Sequence, residues 1–228
     1  MSWTLSWRSL RLTPSSDNRS AGRAIGVRQI VAEPREPDRV MLIVAAFSRW
    51  PDALRWAREN LQNRYGPIVL ASQLFDFVET HYYDDEMGTG LKKGFFAFER
   101  LIQPTEIVDI KLATNELERQ AAQSGDLATE WAGVTRPINL DPGYLHAGKW
   151  VLATTKDQAH RLYLDRGIYA EVTLRVERGE FVPWPWTYPN YCREDYRAFF
   201  KQARNEYLRL LKSWSTGAPT IKNQKSKI

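Results

Sequence analysis

Apolar positions along this chain change their period several times, and each change marks an element. The run VMLIVAAF at 40–47 is apolar without alternation, the pattern of a strand covered on both faces. Pro51 follows, and Leu54, Ala57, Leu61 and Tyr65 then recur at helical spacing until Gly66-Pro67, which predicts a helix over 51–65. IVLASQLF returns to strand composition. After HYYDDEMGTG, read as an acidic loop, LKKGFFAFERLI is again β-rich. Pro104 opens a second helix with Ile107, Ile110, Leu117 and Ala121 on one stripe and Lys111, Asn115 and Glu118 on another face, at i, i+4 and i+7. QSGDLATEWAGVT reads as a mobile loop.

The stretch NLDPGYLHAGKWVLATTKDQAHRLYLDRGIYAEVTL at 139–174 predicts up to three further strands. Asp141-Pro142-Gly143 reads as a turn, with Pro presetting φ and Gly open to positive φ. In IYAEVTLR a period of two sets Ile168, Ala170, Val172 and Leu174 against Tyr169, Glu171, Thr173 and Arg175, so the first set meets helices and the second is solvated or lines a groove. RVERGEFVPW reads as a hairpin. Residues 193–213 form a closing helix with Tyr196, Phe199, Phe200, Ala203 and Tyr207 inward. The order predicts an α+β fold: a mixed sheet with helices on one face, a ferredoxin-like βαββαβ core extended by extra strands and a C-terminal helix.

Five motifs carry a resemblance: YYDDEMGTGLKKGFFAFERLI at 82–102, IKLATNELE at 110–118, NLDPGYL at 139–145, LATTKDQAHRLYLDRGIYAEVTL at 152–174 and WPWTYPNY at 184–191. Through them residues 38–212 resemble an uncharacterised bacterial family, domain of unknown function 4416. The resemblance implies a domain boundary near residue 38 and no particular activity. Some relatives carry a GTP-binding label.

Composition adds bounds. With nine Trp, ten Tyr and nine Phe in 228 residues, the chain supplies a large core. The single Cys192 excludes an intramolecular disulfide and suits a reducing compartment. The formal charge of +5 resides in the tails, since residues 39–214 sum to zero, which argues against a phosphate-tracking nucleic-acid surface. No apolar run suffices for a membrane span, and a cytoplasmic protein is expected. Residues 1–37 read as a disordered or non-native extension, 38–213 as a single domain, and 214–228 as a flexible basic tail.

Chemistry is sparse. FSRWPD, between the first strand and helix, has no glycine-rich phosphate loop, and neither GxSxG nor HExxH occurs. Cationic side chains stand just before carboxylates in the 139–174 stretch, a composition that suits a small anion with or without a divalent metal. The candidate catalytic residues are His160, Glu171 and Asp141, and the candidate ligand-binding residues are Lys156, Arg161, Lys111, Asn115 and Tyr169. The expected ligand is phosphorylated or nucleotide-like. The alternative is a non-catalytic module that binds RNA or a protein. YYDDEMGTGLKK reads as a solvated turn or a lid, and WPWTYPNY as cover for the core.

Overall fold

The computed structural model describes residues 32–78, 83–123, 131 and 134–216, and every element lies in the compact unit that begins at Pro37. His81, most of the loop at 123–135, and the expectations for the N-terminal extension and basic tail fall largely outside the described residues.

Strand β1 (Val40–Ser48) is buried along its whole length. Val40, Leu42, Val44 and Ala46 enter one apolar cluster, while Met41, Ile43 and Ala45 enter another. A period of two with cover on both faces explains the unbroken apolar run. Helix α1 (Pro51–Tyr65) begins with proline in its first turn and stops at Gly66, whose φ of 94° suits glycine. Its buried side chains join the first cluster. Strands β2 (Ile68–Ala71) and β3 (Phe75–Asp76) follow, then a short helix α2 (Asp84–Met87) inside the expected acidic loop. Strand β4 (Lys92–Ile102) leads through a 3-10 turn, where Gln103 and Glu106 cap one another, into α3 (Ile107–Gln123). The stripe Ile107, Ile110, Leu117 and Ala121 packs into the first cluster as expected.

Four strands, rather than up to three, begin within 139–174: β5 (Asn139–His146), β6 (Lys149–Thr154), β7 (Leu162–Asp165) and β8 (Ile168–Glu177). Strand β9 (Glu180–Pro183) closes a hairpin with β8, and α4 (Glu194–Thr216) ends the fold. The sheet order is β2-β4-β1-β5-β6-β8-β7, with β3 beside β4 and β9 beside β8.

Four expectations change. Every described pairing is antiparallel, so the sheet is not mixed, because β4 inserts between β1 and β2 and separates two strands that a helix joins. The helices do not share one face. Helix α4 brings Tyr196, Phe199, Phe200, Ala203 and Tyr207 onto Met41, Ile43, Ala45 and Phe95, which would otherwise leave the second face bare.

Asp141-Pro142-Gly143 is not a turn but lies inside β5. Gly143 is required by close approach: a Cβ there would stand 2.3 Å from the Val151 carbonyl oxygen and 2.5 Å from the Trp150 ring. The alternation in β8 also breaks. Trp150 pairs with Leu174 and Val151 with Val172, so Thr173 bulges and the parity flips. Ile168 therefore joins one core and Leu174 the other, while Thr173 is buried rather than solvated and Glu171, also buried, lines a cavity. No helix among the described residues is long and apolar enough to cross a membrane.

Candidate functional site

Strand β5 pairs with β1 from Asn139 to Leu145, but with β6 only from Gly143 onward. Beyond that point β6 continues along β8 alone. The sheet splits there, and one edge of β5 loses its neighbouring strand. Side chains of α3 take its place. Glu118 Oε1 accepts the Leu140 N–H at 2.7 Å, and Lys111 Nζ donates to the Leu140 carbonyl at 3.0 Å. Backbone polar groups point to the same side every second residue, so Pro142 has no N–H where no strand would receive one.

The split opens into a cavity of about 890 Å³. On one bank α3 presents Lys111, Asn115, Glu118 and Arg119. The opposite bank presents Thr154, Lys156, Arg161 and Glu171 from β6, β8 and the segment between β6 and β7. Asn139 and Asp141 line the edge of β5 between them, and Phe47, Phe77, Lys93 and Tyr191 contribute the aromatic side. Six cationic side chains meet four carboxylates around this space. Among the buried polar residues, Lys93, Lys111, Asn139, Arg161, Glu171 and Asn190 all line it.

Of the residues singled out from sequence, Asp141, Lys156, Arg161, Glu171, Lys111 and Asn115 are brought together on this cavity. Two are not. His160 stands behind Glu171, with Nε2 at 3.2 Å from Oε2 and its ring stacked on Trp186 at 5.9 Å. Tyr169 meets Tyr163 edge-on at 5.4 Å, away from the cavity lining. Sequence reasoning left out Glu118, Arg136, Lys93, Asn139 and Tyr191. For Glu118 the signal was present, since it shares the helix face of Lys111 and Asn115.

The electrostatics differ between the banks. Glu171 Oε2 accepts from Arg161 Nε at 2.9 Å and Oε1 from the Thr173 hydroxyl at 3.1 Å. Arg161 also donates to the Lys156 carbonyl at 2.8 Å and to the Tyr188 hydroxyl at 2.9 Å. Across the cavity, burial pushes the Glu118 carboxyl up to about 7, against the opposing charge of Lys111. Arg136 lies 3.8 Å from it and reaches Glu86 at 2.7 Å. Burial also acts to raise Asp141, but the charges of Lys111 and Lys93 outweigh it and hold this carboxyl below its ordinary value. Burial and the negative charge of Asp141 keep the Tyr191 phenol protonated far into the alkaline range.

Lys93 is enclosed by aromatic rings, its Nζ 4.6 Å from the Tyr191 centroid, 5.1 Å from Phe77 and 5.5 Å from Phe47. Between β1 and α1, where a phosphate loop would sit, the Ser48 hydroxyl instead donates to the Pro137 carbonyl at 2.6 Å and accepts from the Trp50 N–H at 3.0 Å. Among the described residues no group of three or more His, Cys, Asp or Glu is placed to hold a metal ion.

Fold and site together define an α+β protein whose antiparallel sheet parts to form one charged, partly aromatic cavity. The chain belongs to the family described as Domain of unknown function (DUF4416), whose pattern matches residues 38–207. Comparison with curated proteins returned no match.

Proposed function

We propose that the protein binds a small anionic ligand, phosphorylated or nucleotide-like, in the split between β5 and β6. What carries this reading is the gathering of six cationic side chains and four carboxylates, with Lys93, Lys111 and Arg161 buried among them, around one space of about 890 Å³. In this reading Lys111, Lys156 and Arg136 meet the ligand's charge. The Arg161–Glu171–His160 cluster positions the bank, because both Glu171 oxygens are already engaged. Glu118 is the group suited to exchange a proton near neutral pH, should the ligand also react.

The scaffold reads as a ferredoxin-like βαββαβ unit. The order β2-β4-β1-β5, all antiparallel with α1 and α3 on one face, supports this. Such a unit often offers an open sheet face to RNA, but here α4 covers the second face of β1 and β4. That weighs for the cavity and against a sheet-face interface with RNA or protein.

A thermal-shift screen against nucleotides, sugar phosphates and inorganic phosphate tests the reading. A ligand at about 100 times its dissociation constant adds roughly 2.7 kcal/mol of stability. The shift should shrink in Lys111→Met and Arg136→Ala. A panel of anions without effect at millimolar concentration would overturn the proposal.

A further inference from the structure

We infer that the aromatic side of the cavity holds an oxyanion subsite, in which Tyr191 Oη and Asn139 Nδ2 donate to the ligand beside the ammonium groups of Lys93 and Lys111. The inference rests on the cavity reading above and assigns which end of the space receives the charged oxygen atoms.

Register places the parts. Phe47 of β1 pairs with Lys93 of β4 on one side and Asn139 of β5 on the other, so these three residues form one row across the sheet. The next row on the same face is Phe95, Ala45 and Asp141. Residues in directly opposed positions share a face, and the Tyr191 ring sits over the Lys93 end of the first row at 4.6 Å. The 3-10 turn Pro189–Cys192 thus brings Tyr191 onto the sheet face that carries Lys93, Asn139 and Asp141.

Hydrogen bonding then points to a missing acceptor. Tyr191 is 2% exposed, and its Oη has no hydrogen-bond partner. Asn139 is equally buried. Its Oδ1 is taken by Arg136, which fixes the amide orientation, and its Nδ2 faces the Asp141 carboxylate closely enough to help hold that carboxyl below its ordinary value while making no hydrogen bond of full geometry. Buried donors are rarely left unsatisfied in a folded protein. The phenol stays protonated and so remains a donor. Lys93 and Lys111 place two ammonium groups beside these donors, with Lys111 3.5 Å from Asp141 and the carboxylates of Asp141 and Glu171 both near Tyr191, so an acceptor oxygen of the ligand would meet donors of both kinds. A phosphate group and a carboxylate both present the required chemistry.

Isothermal titration of the full chain with inorganic phosphate and, separately, with acetate tests this and distinguishes the two sources. At least one anion should bind, and Tyr191→Phe should weaken it about tenfold or more, the loss expected for a hydrogen bond to a charged group. Arg119→Ala, which removes a cavity-lining charge that is largely exposed and paired with Glu116, should weaken binding less than Tyr191→Phe does. Tyr191→Phe should also melt no lower than the parent, because it removes a buried hydroxyl that has no protein partner. A clear drop in melting temperature would mean that the hydroxyl is structural, and the subsite would fall.

If Arg119→Ala weakens phosphate while Tyr191→Phe does not, the anion sits beside Arg119, and the subsite falls while the cavity reading stands. The subsite also falls, again without the cavity reading, if neither small anion binds but a nucleotide or sugar phosphate does. If nothing binds, both readings fall.

Discussion

Glu171 and Glu118 stand on opposite banks of one cavity, and the protein treats them differently. Glu171 is 2% exposed, accepts from Arg161 and Thr173 and has His160 Nε2 at 3.2 Å, so its charge is compensated inside the fold. Glu118 accepts one backbone N–H and has Arg136 at 3.8 Å, and burial outweighs the opposing charge of Lys111, so its carboxyl is pushed up to about 7. The first bank is locked by charge pairing. The second is left responsive. Burial alone therefore does not decide what a carboxylate does; the donors supplied to it do.

The sharpest way to break the comparison is Glu171→Ala. It leaves the Arg161 guanidinium, itself 8% exposed, without its counter-charge, a loss worth about 3–5 kcal/mol when one partner of a buried pair is removed. For a domain of this size that lowers the melting temperature by about 10 °C. Scanning calorimetry beside Glu118→Gln checks it: the Glu118 variant should melt close to the parent at neutral pH. Equal losses in both variants would erase the distinction between the banks.

A smaller effect tests why the split begins where it does. Gly143 is the last β5 residue paired with β6, and its missing Cβ admits the Trp150 ring. Gly143→Ala should cost about 1–3 kcal/mol, the range for forcing extra atoms into a packed site, and it should weaken ligand binding by moving β6. Denaturant unfolding gives the first quantity. If stability is unchanged, the hinge of the split lies elsewhere.

What is legible in sequence follows from how local each cause is. Helix α1 is announced by Pro51 and Gly66, and α4 by five apolar positions at helical spacing, so the bounds of both can be read closely. The face holding Lys111, Asn115 and Glu118 is also local, needing only the helical period. Gly143 looks like a turn glycine because the ring that demands it belongs to Trp150, on the partner strand of a hairpin. The parity flip at Thr173 is a property of pairing with β6 and has no mark in IYAEVTLR itself.

Lys93 reads as part of a charged loop, although it lies in phase with the buried Phe95 and Ala97. A cation in register with an apolar face is the available signal. Tyr191 gains meaning only from chain segments distant in sequence, and Asn139 from the neighbouring Arg136 together with such segments.

The mildest prediction concerns pH and sharpens the contrast from the responsive side. The folded-state carboxyl of Glu118 is raised from 4.5 to about 7, so between those values the native state holds more of its proton than the unfolded chain does. Stability must therefore fall as pH rises through this window and level off above it. Asp141 acts with the opposite sign, its depressed value making stability fall only as the solution becomes acidic enough to protonate it. The two windows do not overlap. Glu118→Gln, neutral throughout, should flatten the decline between about pH 5 and 7 by an amount on the order of 1–2 kcal/mol. Urea unfolding at several pH values measures it. A slope unaltered by Glu118→Gln would assign the titration to another group and remove the responsive bank from the comparison.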